Sequence, residues 1–169
     1  VTVRVYDTAG VVVSTATSNA EGAFRALAIP DGRYFVRTHN TQGYIDQVYD
    51  SLPCVNCVPN RGTPIVVAVG GEVTGIDFSL VRGGRISGVV SETSTGQPVS
   101  GVTVRVFDAS GREVSAVTTD NGGAYVTTGG LATGAYYVRT DNAIGYLDKL
   151  YNNTVCVACD PRLGQPVDV

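Results

Sequence analysis

The chain repeats itself. Val1–Gly10 reads VTVRVYDTAG and Val102–Gly111 reads VTVRVFDASG, while Tyr34–Tyr49 matches Tyr136–Tyr151 at 9 of 16 positions. The offset is 101 residues at the start and 102 after a one-residue slip near Ile29, so Cys54 and Cys57 fall on Cys156 and Cys159. One module is therefore roughly 100 residues, and the chain holds roughly 1.7 of them. The first copy has no counterpart of GRISGVVSETSTGQPVSG, Gly84–Gly101, and the second has none of GEVTGIDFSL, Gly71–Leu80. The expected division is into residues 1–83, a module without its first strand, and 84–169, a module without its last.

Strand periodicity runs throughout, and no helical period persists. Val102, Val104 and Val106 alternate with Thr103 and Arg105, as Val1, Val3 and Val5 do with Thr2 and Arg4. Such runs are half-buried strands. Asp7–Gly10 and Asp108–Gly111 separate pairs of them and read as hairpin turns. Further strands are expected at Glu113–Thr119, Gly123–Thr128, Gly134–Thr140 and near Tyr146–Tyr151. Thr74–Leu80 is a clean period-two strand, with Ile76, Phe78 and Leu80 on one face, and Ile86, Gly88 and Val90 begin the second module in the same way. About seven short strands per module suggest an all-β fold of two tandem antiparallel sandwiches, Ig-like or transthyretin-like, each one strand short.

The spaced motifs Gly84-Arg-Ile86-Ser-Gly88, Thr95-Gly96-Gln-Pro98, Thr119-Asp120-Asn-Gly-Gly123-Ala-Tyr125 and Gly130-Leu131-Ala-Thr-Gly134-Ala-Tyr136 resemble those of carboxypeptidase regulatory-like, transthyretin-like sandwich modules, common as tandem repeats in bacterial secreted and surface proteins. The first copy keeps Gly22-Ala-Phe24 and Gly32-Arg-Tyr34, but has Ile29-Pro30-Asp31 where the family usually has Gly-Leu. The resemblance implies an accessory or structural module without catalysis.

Chemistry-bearing residues are few. Cys54-Val-Asn-Cys57 and Cys156-Val-Ala-Cys159 suit three arrangements: a zinc site built from all four thiolates, a redox pair, or a short disulfide in each module. Zinc requires the pairs to converge from equivalent places in successive modules, and a redox pair wants a helix N-terminus. A disulfide in each module is favoured, as in an oxidising compartment. His39 has Asp141 as its counterpart and reads as a solvated loop residue. Tyr44, Tyr49, Tyr146 and Tyr151 suit either core-capping aromatics or a sugar-facing surface. Asp120–Gly123 and Asn19–Gly22 read as turns rather than calcium loops. Lys149, the sole lysine, is matched by Gln47, which excludes a lysine crosslink common to both modules, and Asn152-Asn-Thr154 fits a glycosylation sequon that the first copy lacks.

Net charge is −3, with 12 basic against 15 acidic residues, which leaves no basic surface for nucleic acid. No apolar run approaches the roughly 20 residues needed to span a bilayer, and VTVRVYDTAG resembles no signal peptide. Met is 0, so a processed product or a fragment is expected. No acid, base and nucleophile can be named together, so no enzyme and no cofactor or metal are expected. Either the chain is a window cut from a longer tandem array, or identical subunits complete one another by strand addition at an unpaired edge. The expectation is a structural unit of an extracellular fibre, stalk or surface appendage that self-associates head to tail with its own copies or with adjacent repeats. The rival is a carbohydrate-binding or adhesin module with glycan partners.

Overall fold

Alternating valines draw Thr2–Tyr6 (β1) and Thr103–Asp108 (β8) into strands whose inner residues, Val3, Val5, Val104 and Val106, are at most 2% exposed. Each turns back through its Asp-x-x-Gly into Val12–Thr17 (β2) or Glu113–Thr118 (β9). The Asp7 carboxylate accepts from the Ala9 and Val11 amides at 2.9 and 2.8 Å, and Asp108 repeats this with Ser110 and Arg112. The turns sit where the sequence places them, and the ladder beside each shifts register just before the turn, at Val5/Tyr6 and Val106/Phe107.

The computed structural model describes residues 1–169, and the chain divides into two units, Val1–Gly83 and Gly84–Val169. In the first, Gly32–His39 (β3) is the central strand. It pairs with β1, placing Val5 opposite Val36, and on its other side with Gln47–Val48 (β4) and Ile65–Val67 (β6). Leu52–Pro53 (β5) pairs with β4, giving an antiparallel sheet ordered β2-β1-β3-β4-β5.

The second unit follows the same plan. Ala135–Asp141 (β11) pairs with β8, with Lys149–Leu150 (β12) and with Val167–Asp168 (β14), and Thr154–Val155 (β13) pairs with β12. A second, two-stranded sheet is added here. Ser87–Val89 (β7) lies antiparallel to Ala124–Val126 (β10), with Gly88 opposite Tyr125. The only helical turns are two 3-10 turns, Pro59–Arg61 and Pro161–Leu163. The fold is all-β and antiparallel, in two tandem modules of the expected class.

Three expectations need correction. Thr74–Leu80 is not a hydrogen-bonded strand. It keeps the expected alternation, with Ile76, Phe78 and Leu80 half-buried and the residues between them exposed, but no strand pairs with it. A strand needs a ladder partner, and no strand of the first unit lies alongside this segment. The run near Tyr146–Tyr151 contracts to the two residues of β12, because the chain turns sharply at Asn152 and Asn153, whose φ values are +69° and +65°. His39 is no loop residue: it ends β3, with its ring 3.8 Å from the Asp46 carboxylate.

Candidate functional site

The most distinctive features are two open grooves, one in each unit, at complementary positions of the repeat. In the first unit, Phe24, Ala26 and Ile29 pack on the core of Val3, Val5, Tyr34 and Val36 from one side, and Ile76 and Phe78 from the other. Neither segment belongs to a ladder, and they touch through the Phe24 and Phe78 rings, with centroids 6.2 Å apart. Between them runs a groove of about 510 Å³ that reaches Val5, Val36 and Val67 of the sheet below. The corresponding space in the second unit contains a strand. Ala124–Val126, the counterpart of Ala23–Arg25, bonds to β7, with the Val90 amide donating to Gly123 at 2.8 Å and the Thr127 amide donating to Ile86 at 2.9 Å.

The second groove, of about 710 Å³, lies beside β7, whose other edge carries no strand. Val102, Val104, Val138 and Leu150 line it, with Lys149, Tyr146 and Leu147 at its rim. In the first unit the matching positions are covered by Ser79–Gly83. Gln47 Nε2 donates to the Ser79 carbonyl at 3.0 Å, the Ile45 amide to Val81 at 2.8 Å and the Gly83 amide to Gly43 at 3.0 Å. The Arg82 guanidinium lies over the Tyr44 ring at 5.2 Å.

The assembly-strand residues named from sequence thus fall at the two grooves. Ile76 and Phe78 flank the first, and Leu80 is half-buried on the same segment. Ile86 is 6% exposed inside the second unit, and Val90 lines its groove. Tyr49 packs against the first core, and Tyr44 is half-buried beneath Arg82. Their counterparts Tyr151 and Tyr146 are 50% and 46% exposed and line the second groove. The four tyrosines are therefore not one surface, and the exposure of two of them follows from the uncovered groove. Sequence reasoning missed Gln47 and Lys149 as groove residues. Their alignment at one repeat position, each between an aspartate and an aliphatic residue, was the available signal.

Cys54 bonds to Cys57 and Cys156 to Cys159, with Cα atoms 5.0 and 5.2 Å apart, and no cysteine is free. Each bridge is held against its sheet by an arginine of the central strand: Arg37 donates to the Cys57 carbonyl at 3.5 Å, and Arg139 to Cys159 at 3.2 Å. Cys54 and Cys156 are at most 1% exposed. Within the first unit, Asp46 is buried and accepts from Asn40 Nδ2 at 2.7 Å, and burial raises its pKa above the ordinary carboxylate value. Desolvation, then Arg4, lower the pKa of His39 against the opposing pull of Asp46. In the second unit, Asn142 and Asp148 repeat the Asn40–Asp46 bond at 2.7 Å. These are loop fastenings, and no three His, Cys, Asp or Glu side chains converge as a metal site would require.

Comparison with known proteins agrees with the motifs. Over 156 residues, or 86% of the chain, it is 28% identical to the serine-aspartate repeat-containing protein D of Staphylococcus aureus strain Newman, and equally so to those of strains MW2 and USA300. It spans about 12% of the length of the strain Newman protein. No solved structure matches. Residues 85–159, nearly the whole second unit, match the carboxypeptidase regulatory-like domain, the family whose motifs the sequence carries.

Proposed function

We propose that the chain is a structural repeat segment of an extracellular stalk, fibre or surface appendage, in which modules follow one another head to tail by tandem continuation or strand complementation. One observation carries the proposal. The chain carries two copies of one β-module directly in tandem, each with its own buried centre and its own disulfide. A contact that joins unlike faces and does not close on itself propagates as a line. The disulfides support an oxidising, extracellular or cell-surface location, and the match to a non-catalytic accessory domain supports a role other than catalysis.

A glycan-binding role has less support, because the two tyrosines that face solvent are those whose counterparts are covered. Electron microscopy and sedimentation of undenatured protein test the proposal. Rods or fibres with a regular axial repeat are expected at high concentration, whereas a discrete 17.6 kDa monomer under all conditions contradicts it.

A further inference from the structure

We propose that the sheet face turned away from the core of the first unit carries an anion site, at Arg4, Arg37 and His39, that takes a carboxylate. Strand pairing builds it. Val3, Val5 and Val36 belong to the core, so Arg4 on β1 and Arg37 on β3 share the opposite face, and the register sets them directly opposite each other. His39 lies two residues beyond Arg37 on the same face, and all three side chains are half-buried. Like charges in directly opposed positions of a ladder repel unless something neutralises them. The site does not depend on the role proposed above.

The second unit shows what neutralises such a pair. Arg105 opposes Arg139 in the same way, and Arg105 donates through Nε to Asp141 and through Nη1 to Glu113, both at 2.8 Å. The Arg139 guanidinium lies 5.2 Å from the centre of the Phe107 ring. The two acids stand on β11 and β9. Their counterparts on β3 and β2 are His39 and Val12, so the equivalent arginine of the first unit stands without either carboxylate. Arg4 forms no ion pair there. Arg37 reaches only the Cys57 carbonyl, at 3.5 Å, and its Nε is buried without a hydrogen-bond partner. The acid beside this face is Asp46, 3.8 Å from the His39 ring, but it is buried and accepts from Asn40 at 2.7 Å. Burial, then Arg4, and lastly Arg37 lower the His39 pKa against the pull of Asp46, so the imidazole registers an uncompensated positive field. A carboxylate supplied from outside would stand to Arg4 as Glu113 and Asp141 stand to Arg105, and the planar guanidinium offers it two parallel N–H donors.

His39 is the sole histidine, so its ring reports the site in solution. The full chain at low ionic strength is titrated with glutarate and, separately, with an N-acetylated, C-amidated hexaglutamate peptide. Saturable shifts are expected at the Arg4 Nε–Hε group and the His39 ring, together with a higher His39 pKa in the complex. By linkage, binding is then tighter at about pH 6 than at about pH 7.5. Arg4→Gln should weaken binding about tenfold, the value of one charge-assisted hydrogen bond. Val12→Glu combined with His39→Asp, which copies the second unit, should abolish binding while raising the melting temperature, so that loss of the site is told apart from loss of the fold. Saturation by glutarate upholds the site with a free carboxylate sufficient to fill it, and saturation by the peptide alone upholds it with acidic side chains of another polypeptide as the source. No saturable shift with either probe at millimolar concentration, sulfate binding more tightly than glutarate, or unchanged binding by Arg4→Gln or by the double variant overturns the inference.

Discussion

Gly22 and Gly123 occupy the same position of the repeat and both adopt positive φ, +85° and +70°. A Cβ on Gly123 would lie 2.4 Å from the Val90 carbonyl, whereas one on Gly22 would meet nothing within 4 Å. The difference is the strand that only the second unit contains. Gly22→Ala should cost about 1–2 kcal/mol, the left-handed penalty alone, and Gly123→Ala about 3 kcal/mol or more; urea denaturation of the two variants measures both. His39 shows a second asymmetry. Its folded pKa lies below 6.5, so the folded state binds fewer protons than the unfolded chain between that depressed value and 6.5. The contribution of His39 is fully present above pH 6.5 and is lost as pH falls through the window. Asp46, with its pKa raised, acts with the opposite sign: its contribution declines as pH rises above 3.8 through its folded value. His39→Asn should flatten the fall in stability just below pH 6.5, read from melting temperatures across pH. None of this was legible in the sequence, where His39 looked solvated. Arg4 becomes its neighbour only through the pairing of β1 with β3, whereas Arg37 precedes it by two residues on the same face of β3.

At the scale of elements, Thr74–Leu80 separates what a pattern specifies from what it does not. Period two fixed which residues face the core, and Ile76 and Phe78 do face it. It carried no information on whether a ladder partner stands alongside. Amides of residues 73–78 should therefore exchange hydrogen far faster than those of β8, whose residues are paired on both sides. Phe78→Ala should cost about 1.5–3 kcal/mol through lost burial, and a double-mutant cycle with Phe24 should show about 0.5–1.5 kcal/mol of coupling between the rings. The cystine loops were recognisable from their spacing, but the short strands β4, β5, β12 and β13 were not. Two-residue strands have no period to read, and they arise where the cystine segment folds back on β3 or β11. Replacing Cys54 and Cys57 by Ser should cost about 2 kcal/mol on the chain-entropy estimate for so short a loop, measurable by denaturation with and without reductant.

At the scale of the molecule, each unit carries its own buried centre, Val3, Val5, Tyr34 and Val36 in the first, and Val104, Val106, Val138 and Leu150 in the second. Calorimetry should resolve two transitions, with Phe78→Ala lowering only one of them. The duplication was legible from letters alone, because the same motifs recur at a fixed offset and so give the length of one module. It did not reveal that Thr74–Leu80 packs on the core without a ladder, with the Phe78 ring against that of Phe24.

The phase of the duplication has a practical corollary. Val169 corresponds to Val67, so joining residues 68–83 directly after Val169 continues the second copy without a break in register. A polypeptide made of 84–169 followed by 68–83 would contain one whole sandwich and nothing left over. The cut that divides this chain into two homologous halves is thus not the cut that frames one whole copy of the repeat, and a designer wanting a single complete module should begin at Gly84 and finish with residues 68–83.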